Sequence, residues 1–348
     1  MKKLLLFLVL FLSLTVFLAA CGSDDTIGES DNSQNGSEGE AGLSDFTYSI
    51  QLGHNVPAGT VNDQAAHKFK ELIEEKTNNQ ITVEVFPNQE LGNEIDMVEN
   101  MGMGAIDMVI PGDGVFGTYV PEFQGLLIPF LISDMEHMDR VYNGEIGEEL
   151  NQAFIESVNS RVLAYFHRGA RNLTANEAIR TPEEIEGMKL RTITNPLVVE
   201  AWSALGANPT PIDFGELYVS LQQGVVDGQE NPFDNIYNAK FFEVQSHVML
   251  TEHTYSPYML MINNDLYESF PDDIRVLFDE AVTETAAYQQ DLEAEMNEEY
   301  KNILADEGME IVEVDKASFQ QLFMESDVED RFADQWIPNL LDRVRELQ

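Results

Sequence analysis

Beyond position 21 the chain contains no cysteine, and its single one, Cys21, has no partner within the chain. An internal disulfide is therefore excluded, and a thiolate metal site in the body with it. The histidines are few and scattered, at 54, 67, 137, 167, 247 and 253, with no close pair at metal-ligand spacing. His54 and His253 read as ordinary structural polar residues. No Walker phosphate loop or Gly-x-Ser-x-Gly nucleophile elbow is present. Basic residues are scarce too: 19 Lys and Arg against 62 Asp and Glu give a net charge of −43. Such a surface repels nucleic acid and anionic lipid, so neither is an expected partner. We read the acidity as solubility in saline or alkaline surroundings. No cofactor and no metal are expected.

Scarcity makes each arginine informative. Of ten, five fall at 161, 168, 171, 180 and 191. A protein this negative that concentrates half its guanidinium groups in one stretch has an anion to hold there. The competing reading is local ion pairing with Glu177, Glu183, Glu184 and Glu186, which would absorb one or two of them.

At the N-terminus, Lys2 and Lys3 precede an apolar run from Leu4 to Leu18, then Ala19 and Ala20. A basic start, a short apolar core and small residues make residues 1–20 a secretory signal, too short to span a bilayer comfortably. The sequence "LAAC" resembles the lipobox of bacterial lipoproteins, which implies that Cys21 is lipidated and becomes the new N-terminus. Residues 22–45, "GSDDTIGESDNSQNGSEGEAGLSD", have almost nothing to bury. They form a tether reaching on the order of 25–30 Å as a coil. The expectation is an extracytoplasmic body that meets the membrane only through its lipid anchor.

The body, roughly 300 residues, is long enough for two domains. "FTYSIQLG" and "QITVEVFP" read as strands around a helix with Ala65, Phe69, Leu72 and Ile73 on one face. A further helix, a glycine stop and the apolar strand "DMVIPG" follow, an order that argues for an α/β sheet. The second half repeats a piece of this. A helix through Phe214, Leu217 and Leu221 ends at Gly224, and Val225-Val226 is expected to begin a strand. Both halves carry Gly-x-x-Asp after a helix, Gly104 to Asp107 and Gly224 to Asp227, which suggests two similar lobes with strands ending at a common cleft. Between them, Thr181, Pro182 and Glu184 read as a capping box opening a short helix. "MKLRTI" is then a strand with Lys189, Arg191 and Ile193 on one face. A buried Arg191 must find a partner, either a structural ion pair or a ligand. Late in the chain, a helical pattern from about Asp272 to about Ala305 would be on the order of 50 Å long, enough to run across both lobes. "MEIVEV" is a short strand, and the remaining tail reads as helix.

The stretch "GVVDGQENP" superficially opens like an EF-hand, with Asp227, Gln229 and Asn231 at alternate positions. It fails as one, because Pro232 occupies the place of the turn glycine and Asn238 that of the closing glutamate. Together with "GARNLTANEAIRTPEEIEGMKLRT", "WSALGANPTPIDFGELYVSLQQGVVDGQENP" and "KFFEVQSHVMLTEH", and less strongly "GHNVPAGT", "FPNQELGNE" and "GAIDMVI", it resembles the dicarboxylate-binding (DctP-like) solute-binding proteins of TRAP transporters. The resemblance runs from about Phe46 to about Leu292.

It implies an α/β, two-lobed periplasmic-binding-protein-like (Venus flytrap) fold with a long helix spanning both lobes. The lobes would be residues 46–168 with 257–296, and 169–256 with 297–348. It implies a binding protein, not an enzyme, that closes as a monomer on a small carboxylate, a dicarboxylate or sugar acid, and serves the transporter's membrane subunits. It further implies that Arg191 forms a bidentate salt bridge with the carboxylate and that Asn231 also contacts it. Arg171 would add a second contact in some members, while Asn55 and the region of Asn93 and Glu94 would meet the rest of the ligand. Sialic acid binders carry glutamate where this chain has Gly112, followed by Asp113, which argues against that ligand. Two alternatives stand beside this reading: a receptor feeding a sensor kinase, and an exported hydrolase of acidic substrates, for which no motif speaks.

Overall fold

The computed structural model describes residues 43–348; the expected secretory signal, Cys21 and most of the expected tether lie outside the described residues. The first lobe opens with β1 (Tyr48–His54), whose inward residues Ile50 and Leu52 are fully buried. Thr60 caps the following helix, Val61–Lys76, by accepting the Asp63 N–H at 3.3 Å. That helix buries the face formed by Ala65, Phe69, Leu72 and Ile73, as its spacing predicted. β2 (Ile81–Phe86) then pairs parallel to β1. A helix over Glu94–Gly102, capped by Asn93, leads to β3 (Met108–Ile110) on the other side of β1. β4 (Ser160–Phe166) ends this run of the chain in the first lobe.

The second lobe holds β5 (Arg171–Ala175), β6 (Lys189–Thr192), β7 (Asn208–Pro211), β8 (Gly228–Asn231) and β9 (His247–Thr254). The chain returns to the first sheet with β10 (Tyr258–Asn263), and β11 (Glu310–Val312) later joins the second. Sheet orders are β2-β1-β3-β10-β4 and β11-β9-β5-β8-β6-β7. Each has a parallel trio, β2-β1-β3 in one and β7-β6-β8 in the other, beside antiparallel strands. The Gly-x-x-Asp repeat falls at the same place in both trios. Gly104 and Gly224 take positive φ, 74° and 67°. Asp107 accepts the Gln51 N–H of β1 at 2.7 Å, and Asp227 the Lys189 N–H of β6 at 3.0 Å. Each acid satisfies a strand N–H that the neighbouring strand leaves open.

Two short crossings, 167–170 and 255–257, connect the sheets, and the long helix Asp272–Asp306 lies along both lobes. Its first half packs Phe278 edge-on against Phe69 of the first lobe, with centroids 5.3 Å apart. Its second half brings Tyr300 against Tyr237 of the second lobe, also at 5.3 Å. Midway, buried Gln289 brackets the crossing backbone: its Oε1 accepts the His167 N–H at 2.9 Å and its Nε2 donates to the His167 carbonyl. Gly169 passes so close to this helix, at φ 68°, that a Cβ there would lie 2.6 Å from Asn297 Oδ1.

Three local expectations change. Val225 and Val226 do not begin a strand: they finish the wrap after the helix Phe214–Gln222, with the Val225 N–H bonded to the Ser220 carbonyl and its side chain 52 % exposed. The strand is the polar stretch Gly228–Asn231 itself, buried throughout. The helix expected after Thr181 is a single 3₁₀ turn, Pro182–Ile185, and the Thr181 side chain makes no cap bond. Glu184 instead accepts the Arg180 N–H at 2.6 Å, one residue earlier than a capping box requires. The tail breaks into three short helices, Lys316–Met324, Val328–Phe332 and Leu340–Arg345. The middle one is tied to the second lobe by Arg331–Glu200 at 2.7 Å, and the last to the first lobe by Arg343–Glu149 at 2.8 Å. Among the described residues no helix is long and apolar enough to cross a membrane.

Candidate functional site

Between the lobes lies a cleft, outside the carboxyl ends of β1, β3, β6 and β8. Asn55, Glu94, Arg171, Arg191 and Asn231 all line it, whereas Asn93 is spent on capping its helix, its Oδ1 accepting the Asp96 N–H at 2.9 Å. Arg168, Asp113, Asp213, Asn235 and Tyr258 line the cleft too, with the apolar Ile95, Ile193, Ile212 and Phe214.

The arginine cluster sorts itself by partner. Arg161 pairs with Glu268 at 2.5 Å and stacks 4.6 Å over the Tyr267 ring. Arg168 meets Asp113 at 2.8 Å, shares Ser256 with it, and lies 4.8 Å over Tyr258. Arg171 grips Glu230 through Nε and through Nη2, the latter at 2.7 Å, and also donates to the Glu230 carbonyl. Arg180 reaches Glu310 at 3.6 Å. None of these partners is Glu177, Glu183, Glu184 or Glu186; the neighbours in sequence point elsewhere, and the real partners arrive from other elements.

Arg191 is the exception. It is 3 % exposed, and no carboxylate of the described residues stands within 4 Å of it. Its Nε donates to the Ile212 carbonyl at 2.8 Å, and its buried Nη1 has no protein partner. Burial pulls its pKa down to about 10, with Glu230 working the other way. It therefore stays a cation at neutral pH. A buried, unpaired cation costs several kcal/mol, so its place at the end of β6 calls for an anion from outside the protein.

Arg171 is differently placed. Burial works against its charge, but Glu230 outweighs that and raises its pKa. Glu230 would be pushed up by burial, yet Arg171 and the His253 ring at 3.1 Å hold it well below the usual carboxylate range. His253 is fixed in turn by Thr251 at 2.9 Å and by the edge-on Trp202. The sequence reading missed Glu230 as the partner of Arg171. A signal was available: strand alternation sets Glu230 on the face opposite Gln229 and Asn231, and an acid buried in a strand needs a cation.

Asn231 is 2 % exposed. Its Nδ2 donates to Gln229 and its Oδ1 accepts from Asn235 at 3.2 Å. Since an amide nitrogen carries two hydrogens, one is left for a ligand. On the opposite wall Asn55 is buried with Oδ1 unpartnered. Glu94 is half-buried at the start of its helix, its Oε1 accepting the Gly112 N–H at 2.9 Å. Burial raises the Glu94 pKa, as does the nearby Asp113 charge. Among the described residues no cluster of His, Cys, Asp and Glu is arranged to hold a metal.

Residues 52–333 match the family described as bacterial extracellular solute-binding protein, family 7. A solute-binding protein of Roseobacter denitrificans is 41% identical over 271 residues, covering 78% of this chain and 83% of that one. A solved TRAP periplasmic solute-binding protein from Roseobacter denitrificans, with bound L-galactonate, superimposes with a TM-score of 0.80 at 38% identity, over 87% of this chain and 99% of the other. Another, from Shewanella oneidensis with bound succinate, gives 0.82 at 30% identity, over 86% and 99%.

Proposed function

The chain belongs to the bacterial extracellular solute-binding proteins of family 7, the organic-acid-binding components of TRAP transporters, and we propose that it captures its acid by closing two lobes around a carboxylate clamped by Arg191. The observation that carries this reading is the buried Arg191 guanidinium with Nη1 unpartnered. A planar guanidinium offers two parallel donors matched to a carboxylate, and Asn231 has one further N–H to add. Closure removes water from the cleft, which strengthens the ion pair. It also couples capture to a closed shape that the transporter's membrane subunits recognise. The moving bodies in this proposal are residues 46–168 with 257–296, and 169–256 with 297–348. Asn55 and Glu94 meet the rest of the ligand, and Arg171 acts through Glu230 more than through the ligand. The ligand is an organic acid, the class to which the succinate and L-galactonate bound in the Shewanella and Roseobacter relatives belong. Cys21 carries the lipid that keeps the monomer at the outer face of the cell membrane.

The test is Arg191→Lys, which keeps the charge but loses the fork. Calorimetry with the bound acid should show affinity weakened by about 30- to 150-fold, which corresponds to about 2–3 kcal/mol. An unchanged Kd would remove Arg191 from the site. For the anchor, Cys21→Ala should release the protein into the medium, where the parent partitions with detergent.

A further inference from the structure

The two walls of the cleft differ in chemistry, and the difference discriminates between the acids that Arg191 could hold. On the second lobe, Arg191 and Asn231 present donors. The other two arginines of the cleft are already neutralised within the protein, Arg168 by Asp113 and Arg171 by Glu230. No lysine lines the cleft. One guanidinium is thus left for one carboxylate.

The first lobe presents acceptors. Glu94 is anchored by one oxygen on the Gly112 N–H, while Oε2 accepts no hydrogen bond from the described residues. Its carboxylate lies close against the glycine backbone: a Cβ at Gly112 or Gly114 would stand 3.3 Å from one of its oxygens. Asn55 adds a buried amide oxygen without a partner. Asp213, exposed at the rim of the second lobe, adds a further negative charge to the lining, while the Asp113 charge is offset by Arg168. An anionic group at the far end of a ligand would therefore face a carboxylate, whereas hydroxyls there would find acceptors.

We infer that the cleft selects a polyhydroxy monocarboxylate and rejects dicarboxylates, with Glu94 as the residue that makes the distinction. The inference rests on Arg191 being the carboxylate clamp. The carboxylate end of the ligand is read by Arg191 and Asn231, and its hydroxyl-bearing end donates to Glu94 and Asn55. A second carboxylate in that place has no free cation to meet and is repelled by Glu94.

The experiment is calorimetry on the wild-type protein and its Glu94→Gln and Arg191→Lys variants. The probes are four- to six-carbon aldonates and uronates on one side, succinate and malate on the other. The wild type should prefer its best sugar acid over either dicarboxylate by at least about 30-fold. Glu94→Gln, which keeps the shape but removes the charge, should lower sugar-acid affinity and raise dicarboxylate affinity, narrowing the ratio at least about tenfold. Arg191→Lys should weaken both classes together. Equal wild-type affinity for both classes, or a ratio unmoved by Glu94→Gln, overturns the role of Glu94 while leaving the Arg191 clamp standing. A wild type that binds neither class, or an Arg191→Lys variant that binds as before, overturns the clamp and this inference with it.

Discussion

Arg171 and Arg191 line one cleft, and at the scale of single residues they are opposites. Arg171 is tied to Glu230 and Arg191 to no acid of the described residues, so replacing each should be felt in a different measurement. Arg191→Lys should weaken ligand binding with little change in fold stability. Arg171→Met leaves Glu230 buried with His253 alone, and removing one member of a buried pair costs about 3–5 kcal/mol. Urea unfolding should register that loss, and adding Glu230→Gln to Arg171→Met should recover most of it. A double variant no more stable than the single one would show that Glu230 is not what makes Arg171 necessary. From the sequence Arg191 was legible as a strand residue needing a partner, and Asn231 as one polar residue at a strand end. Which arginine goes unpaired was not legible, because Glu230, Asp113, Glu268 and Glu310 come from distant parts of the chain.

At the scale of elements, β8 is the instructive case. Its sequence, Gly-Gln-Glu-Asn, has no apolar residue, so propensity assigns the strand to the valines before it. Val225 instead wraps the end of a helix and Val226 packs into the core, and the polar run becomes the strand because its neighbours satisfy it. Thr174, Arg171 and Asn235 reach its side chains, and Gly228 allows β5 within a distance where a Cβ would touch the Thr174 carbonyl at 2.3 Å. Tertiary partners override local preference here. The long helix was legible from its uninterrupted pattern, but its grip on the crossing was not. Gln289 supplies both a donor and an acceptor to the His167 backbone, as a neighbouring strand would. Gln289→Ala should lower stability by about 2 kcal/mol, read as a drop in the urea midpoint at unchanged slope. A midpoint within error of the parent would mean that water replaces the amide there.

At the scale of the whole molecule, the lobes meet at a buried acid. Asp234 of the second lobe accepts the Val61 N–H at the start of the first-lobe helix, at 3.2 Å, and the Asn238 amide at 2.6 Å. Burial pushes its carboxyl up from 3.8 to about 6, and Glu293 on the long helix is raised as well, by burial and by Asp234. A raised acid binds its proton more tightly in the folded state. Its contribution is therefore fully present below about pH 4 and lost as pH rises through 6, a change on the order of 3 kcal/mol. Glu230 works in the opposite sense, its contribution being present above its unfolded value of 4.5 and lost in acid. Stability should accordingly be greatest near about pH 4 to 4.5 and fall as pH rises through about 6. Asp234→Asn should raise the melting temperature at pH 8 and shrink its difference from about pH 4.5; an undiminished difference would assign the pH dependence to other groups. The sequence by itself determined the two-lobed α/β plan and the bridging helix, because periodicity, glycine stops and dense local motifs act over short stretches of chain. Tertiary structure alone decided which charges are cancelled and which wall of the cleft carries acceptors. Cancellation depends on distances of 3–4 Å between side chains that folding brings together from both lobes.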